Sequence, residues 1–170
     1  EEAKSPEQGP PTRLGRLTAL AREGDARAQY DFGVLHVRGG GVAKDARLAA
    51  TWFKKAALQG IADAQYNMGV QREQGRGLAR DEKLAFFWYL SAAEQNHAEA
   101  QNIIGALYFR GNLSSYKNYT EAARWYLRAA RQGLAEAQSI LGFMYVQGLG
   151  MAKDNSEALR WFRKAAEQGD

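Results

Sequence analysis

Apolar residues recur along this chain at helical intervals, in short bursts separated by polar stretches that contain glycine. From about Ala26 to Arg38, the residues Ala28, Phe32, Leu35 and His36 fall on one face at helical spacing. Gly39, Gly40 and Gly41 follow and end that helix, since glycine accepts the left-handed conformation beyond a helix C-terminus. Asp45 restarts the chain as an N-cap, its carboxylate placed to accept from otherwise free amides. Asp81, Asn118 and Asp154 stand at the same place further on, and Asn118 with Glu121 and Asp154 with Glu157 have the spacing of a capping box. These second helices are predicted to run to about Gln59, Gln95, Gln132 and Gln168, with Gly60, Asn96, Gly133 and Gly169 as the left-handed residues just past the end. The stretch from Thr12 to Glu23 aligns with a second helix, Gly24 matching Gly60, but no first helix precedes it. It reads as a half repeat that covers the first open face, with Leu14, Leu17, Leu20 and Ala21 on its apolar side and Arg13, Arg16 and Arg22 outside. Nine helices are expected in all. Residues 1–11, with Pro6, Pro10 and Pro11, show no apolar period and read as a disordered lead.

The bursts are copies of one another. Trp52, Trp88, Trp125 and Trp161 are spaced by 36, 37 and 36 residues, and Gln29, Gln65, Gln101 and Gln138 keep the same step, as do Gly33, Gly69, Gly105 and Gly142. A period of this length means stacked helical units that share a continuous core. The pattern divides the chain into a capping half repeat at 12–24 and four units at 25–60, 61–96, 97–133 and 134–170. Glycine inside each first helix is a local contradiction, because it costs about 1 kcal/mol relative to alanine there. Close approach of the second helix through its Trp or its Ala pair (Ala56-Ala57 in unit one) is the expected compensation, and the Trp is expected to be core.

Composition narrows the chemistry. Zero cysteines exclude disulfides and thiolate zinc sites. No apolar run reaches the roughly 20 residues needed to cross a bilayer, so membrane insertion is not expected. Net charge is +4, but the 23 basic residues are spread through every unit among 19 acids, whereas a nucleic-acid surface needs them gathered on one face. His36 and His97 lie on different units outside any metal spacing; His36 reads as a packed structural histidine and His97 as a tolerant position at a helix start. Asp63, Glu99 and Glu136 recur in the first turns of first helices, where the helix dipole favours them. The glycine loops at 39–41 and 75–77 follow helices and lack the Gly-Lys-Ser/Thr ending of a phosphate loop. The sequons at Asn112 and Asn118 read as chance matches. No catalytic residue, metal or cofactor is implied, and the compartment is left open.

The Ala-Gln pair of each first helix, the glycine four residues on, a Gly-x-Gly-Val type loop, then Asp, Trp-Phe and Lys-Ala-Ala-x-Gln-Gly make each unit resemble the Sel-one-like repeat, a relative of the tetratricopeptide repeat. The likeness spans about residues 25–170. It departs from the pattern in unit three, where Leu113 replaces the second loop glycine and one extra residue lies before Asn118, and at His36 and Arg72, where Tyr is usual. It implies an all-α, right-handed solenoid of antiparallel helix pairs, acting as a non-catalytic adaptor or scaffold for a protein or peptide partner. In tetratricopeptide-like stacks the first helices line the concave side. Taking Phe32, Met68, Ile104 and Leu141 as inward, the opposite face carries Tyr30, Val34 and Val37; Tyr66, Val70 and Glu73; Asn102, Ala106 and Phe109; and Ser139, Phe143 and Val146. Rimmed by Arg38, Gln74, Arg110 and Gln147, these residues are expected either to form a partly apolar partner groove or to pack between neighbouring units. The rival functions are a repeat-scaffold enzyme acting on cell-wall or β-lactam-like substrates, and a helical-repeat nucleic-acid binder. Cysteine-rich members linked to β-lactams depend on disulfides that this chain cannot form. The edge formed by Leu159, Phe162 and Ala166 is expected to be covered by further repeats or a capping helix, or else to self-associate.

Overall fold

The computed structural model describes residues 12–111 and 117–169. The lead at 1–11, the Asn112 sequon and the loop at Leu113 lie outside the described residues. Among the described residues there are nine helices and no strand: α1 (Arg13–Glu23), α2 (Ala26–Arg38), α3 (Ala46–Leu58), α4 (Ala62–Gln74), α5 (Glu82–Glu94), α6 (Ala98–Arg110), α7 (Tyr119–Arg131), α8 (Ala135–Gln147) and α9 (Asn155–Ala166). After α1 they form the pairs α2/α3, α4/α5, α6/α7 and α8/α9, each packed on the next, an α-solenoid.

Local chemistry sets the helix ends. The carboxylates of Asp45, Asp81 and Asp154 and the amide oxygen of Asn118 accept first-turn amides. Asn118 is thereby engaged in a structural cap. The capping boxes do not close, because the side chains of Glu121 and Glu157 turn to Arg124 and Arg160, each three residues on, at 2.7 and 3.3 Å. In each unit the cap amide also donates back to the first helix: Asp45 to the His36 carbonyl, Asp81 to Arg72, Asn118 to Tyr108 and Asp154 to Tyr145. His36 and Arg72, the two departures from the aromatic pattern, fasten the same loop by donating to the Ala43 and Ala79 carbonyls.

The core corrects one expectation. The side chain packed on each helix glycine is the aromatic after the Trp: Phe53 on Gly33, Tyr89 on Gly69, Tyr126 on Gly105 and Phe162 on Gly142. A Cβ added at Gly69 would sit 2.6 Å from the Tyr89 ring, so no side chain fits there. The Trp, 100° further round, seals the seam to the preceding unit. Trp125 thus joins Ala85, Tyr89 and Ala92 of α5 and Ile104 of α6. Trp125 and Trp161 are buried, but Trp52 and Trp88 are only half-buried. Lys55, Arg128 and Lys164 lie over the faces of Trp52, Trp125 and Trp161, three residues back.

A second seam is polar. Gln29, Gln65, Gln101 and Gln138 are buried, and each donates from Nε2 to an alanine carbonyl of the preceding second helix (Ala21, Ala57, Ala93 and Ala130) at 3.0–3.2 Å. Their Oε1 atoms accept from Gln59, Gln95, Gln132 and Gln168 of their own units at 2.6–2.9 Å. This bifunctional use of one amide explains why glutamine recurs: donor and acceptor are both satisfied in a buried place.

Candidate protein-interaction surface

The sixteen first-helix residues singled out from the sequence divide into two groups. At the fifth and ninth residues of α2, α4 and α6 the neighbouring units close up. Tyr30 tilts onto Phe53 at 5.8 Å, and Tyr66 onto Tyr89 at the same distance. Tyr66 also stacks on His97 of the next unit, centroids 4.6 Å apart. Asn102 is buried and donates to the Glu136 carboxylate at 2.9 Å. Val34, Val70 and Ala106 pack against the core clusters shared by units one and two, two and three, and three and four. An ionic row runs along the same edge: Arg27 reaches Asp63 at 3.1 Å, and Asp63 lies 3.6 Å from His97. His97, which looked tolerant, therefore caps α6 by accepting from the Ala100 amide and bridges two units. In these positions the side chains pack between units.

Near the last residues of the first helices, and along α8, which no first helix follows among the described residues, the side chains are more open. Val37 is 51% exposed and Phe143 46%, and Arg38, Glu73, Gln74, Arg110 and Gln147 are exposed. Phe109 and Val146 are half-buried, Phe109 resting edge-on against Tyr119 at 5.2 Å, and Ser139 is half-buried on α8. Each of the three unit seams opens here into a cleft. The first, about 360 Å³, lies between His36 and Val37 of α2 and Asn67, Val70 and Gln71 of α4. The second, about 340 Å³, lies between Glu73 of α4 and Leu107 and Arg110 of α6. The third, about 390 Å³, lies between Phe109 and Arg110 of α6 and Ser139, Ile140 and Phe143 of α8. The linings include, in turn, Phe53, Tyr89 and Tyr126, the residues that meet the helix glycines. The notches therefore repeat with the units.

Their electrostatics are mixed. The Tyr89 hydroxyl donates to Glu73 at 2.9 Å, and burial together with that carboxylate pushes the phenol well above its ordinary pKa. Burial pushes Tyr126 up to about 12, against the opposing pull of Arg110. Arg38, Arg76 and Arg110 make no ion pair among the described residues, and Arg76 and Arg110 share the notch linings with Asp45, Glu73 and Glu82. Among the described residues no group of three or more His, Cys, Asp and Glu could hold a metal ion, and no helix is long and apolar enough to cross a membrane.

Comparison with known proteins bears directly on these repeats. The model of the Sel1 repeat family matches residues 26–61, 62–97, 98–134 and 135–170. A Sel1 repeat protein from Oxalobacter formigenes is 36% identical with a TM-score of 0.86, the match covering 91% of this chain and 44% of that one. The protein c5321, a protective antigen of uropathogenic Escherichia coli strains displaying an SLR fold, is 34% identical with a TM-score of 0.86, over 94% of this chain and 34% of its own. The chain thus spans less than half the length of these two relatives. Helicobacter pylori cysteine rich protein B shares the fold at 22% identity and a TM-score of 0.57, over 75% of this chain and 90% of that one. No curated protein sequence matches. Sel1 repeats are generally protein-interaction modules on non-catalytic scaffolds. With four matched units from residue 26 to 170 and two solved relatives above 30% identity, this chain belongs to the Sel1 repeat family.

Proposed function

We propose that this chain binds a protein or peptide partner across the C-terminal halves of its first helices. The observation that carries the reading is the repetition of one notch at three successive seams, reaching Phe53, Tyr89 and Tyr126 and lined in part by Arg76 and Arg110. Depressions that combine aromatic walls with charges of both signs suit a partner whose apolar side chains alternate with charged ones; buried aromatics and arginines are the residue types that dominate interface energies. The residues offered to the partner are Val37, Arg38, Glu73, Gln74, Phe109, Arg110, Phe143, Val146 and Gln147, with Val70 and Ser139 on the notch walls. Tyr30, Val34, Tyr66, Asn102 and Ala106 support that surface from between the units.

The test follows from the exposure pattern. Crosslinking pull-down with wild-type protein should recover a partner that the double variant Val37→Asp, Phe143→Ser loses, while its thermal midpoint stays within a few degrees, because both side chains are about half exposed. Phe109 is unsuitable for this purpose, since it packs on Tyr119 and its loss would weaken the fold. Recovery of the same proteins by the double variant would refute the proposed surface.

A further inference from the structure

Basic residues occur in every unit, but the two layers of the array do not share them equally. Each Trp packs against the second helix before it, Trp88 on the cluster of Ala49 and Phe53 and Trp125 on that of Ala85 and Tyr89, so α1, α3, α5, α7 and α9 lie side by side as one layer. With His taken as neutral, those five helices hold thirteen basic residues against five acids, a formal excess of +8, and all thirteen are exposed. The first helices hold four against five. Of the thirteen cations only Arg124 and Arg160 make an ion pair among the described residues. Within this cationic layer α5 is apolar on its outer side. Leu84 and Phe87 are 39% and 55% exposed, the Phe87 ring standing edge-on to Trp88 at 5.2 Å. The fold does not ask for them, since the same two positions in units three and four carry the ion pairs of Glu121 with Arg124 and of Glu157 with Arg160. Ser91 likewise stands where Lys55, Arg128 and Lys164 cover a Trp, which leaves the half-buried Trp88 without that cover. On the neighbouring α3, which has no acidic residue, Leu48 is 45% exposed beside Arg47.

We infer that this outer layer docks on the surface of an anionic lipid bilayer, its cations against the headgroups and Leu48, Leu84 and Phe87 at the boundary with the acyl chains. The excess positive charge selects an anionic surface. The apolar side chains select lipid: leucine and phenylalanine set among Lys and Arg gain by leaving water at that boundary, whereas a sugar-phosphate backbone offers them nothing. The spread of the charge selects an extended surface. Five helices side by side, each about 8–10 Å from the next, span on the order of 40 Å, and a single acidic peptide would meet only one or two of them. Peripheral docking needs no spanning helix, and none among the described residues is long and apolar enough to be one. Leu48, Leu84 and Phe87 line none of the seam notches, so the two surfaces are separate.

Co-sedimentation of the full chain with vesicles tests this. In roughly 0.05 M salt, where charge is little screened, the chain should sediment with equimolar phosphatidylglycerol and phosphatidylcholine and stay in solution with phosphatidylcholine alone. The double variant Arg47→Glu, Lys54→Glu should weaken binding about tenfold or more. Leu84→Glu with Phe87→Arg, which copies the pair of Glu121 and Arg124 and leaves the net charge unchanged, should weaken it about fivefold or more. All four positions are exposed, so the thermal midpoints of both variants should stay within a few degrees of wild type. Phe143→Ser, on the first-helix surface, should leave vesicle binding unchanged, so failure here does not touch the reading of the seam notches. Absence of sedimentation with the anionic vesicles would overturn the assignment. So would binding that Leu84→Glu, Phe87→Arg leaves intact, which would make the layer a general polyanion surface. Capture of a duplex oligonucleotide in place of the vesicles, read by anisotropy, would give it to nucleic acid instead.

Discussion

At the scale of single residues, two contacts set opposite limits on substitution. Alanine in place of a helix glycine gains about 1 kcal/mol of intrinsic propensity, but the new Cβ must displace an aromatic ring. At Gly69 the Tyr89 ring lies 2.6 Å from that Cβ; at Gly105 the Tyr126 ring lies 3.1 Å away. Overpacking of a filled core costs about 1–3 kcal/mol, so Gly69→Ala should destabilise by up to about 2 kcal/mol net, and Gly105→Ala by less. Urea denaturation giving the opposite order would show that the rings move aside freely. The same tyrosines make the fold alkali-sensitive. Their folded pKa values lie above the unfolded value of about 10, Tyr126 at about 12, with burial the first cause in both. Above pH 10 the unfolded chain releases protons that the folded chain retains, so this contribution to stability is complete below pH 10 and is lost as pH rises through the folded values. Tyr126→Phe should flatten the loss of stability between pH 10 and 12, measured by urea midpoints across that range. An unchanged slope would remove the tyrosine from that account.

Between elements, the glutamine seam replaces apolar packing with paired amides. Gln101 is 1% exposed, donates to the Ala93 carbonyl and accepts from Gln132. Gln101→Ala should cost about 2–4 kcal/mol, since it opens a cavity and strands a buried carbonyl. Gln132→Ala, at an exposed helix end, should cost about 1 kcal/mol or less by the same chemical denaturation. Equal losses would mean that the pair does not act as a seam. Helix bounds and caps were legible in the sequence because they depend on local signals: Asp45, Asn96 and the loop glycines act within one turn. The glutamine seam was visible as a period but not as a function, because its partners lie eight residues back and about 30 ahead. The choice between Trp88 and Tyr89 as the residue on Gly69 was not legible, since neighbours on a helix differ by only 100° and both are large. Nor could the pattern say that Tyr30 and Tyr66 pack between units while Val37 and Phe143 stay exposed. That depends on what the next first helix covers, and Phe143, at the helix position of Val34, Val70 and Ala106, lies on α8, which no first helix follows among the described residues.

For the whole molecule, stacking makes stability depend on position. In a quasi-one-dimensional array each pair is held by its neighbours as well as by itself. α4 to α7 have a packed unit on either side. α9 leaves Leu159 and Phe162 at 50% and 39% exposure, where Phe53, Tyr89 and Tyr126 are at 1–2%. α1 keeps one fully buried residue, Ala21, and its Leu20, expected on the apolar side, is 48% exposed. Opening an inner pair therefore uncovers two seams, whereas opening α1 uncovers one apolar cluster of Ala21, Ala28 and Phe32. Local openings expose amides at the free energy of the smallest unit that can detach. Native-state hydrogen exchange should accordingly find the slowest amides in α5, α6 and α7, with α1 and α9 faster by tenfold or more, equivalent to about 1.4 kcal/mol. The gradient should steepen toward α1, whose eleven residues are the fewest of any helix here. Uniform protection from α1 to α9 would mean that the four pairs melt as one unit and that nearest-neighbour stacking does not set their stability.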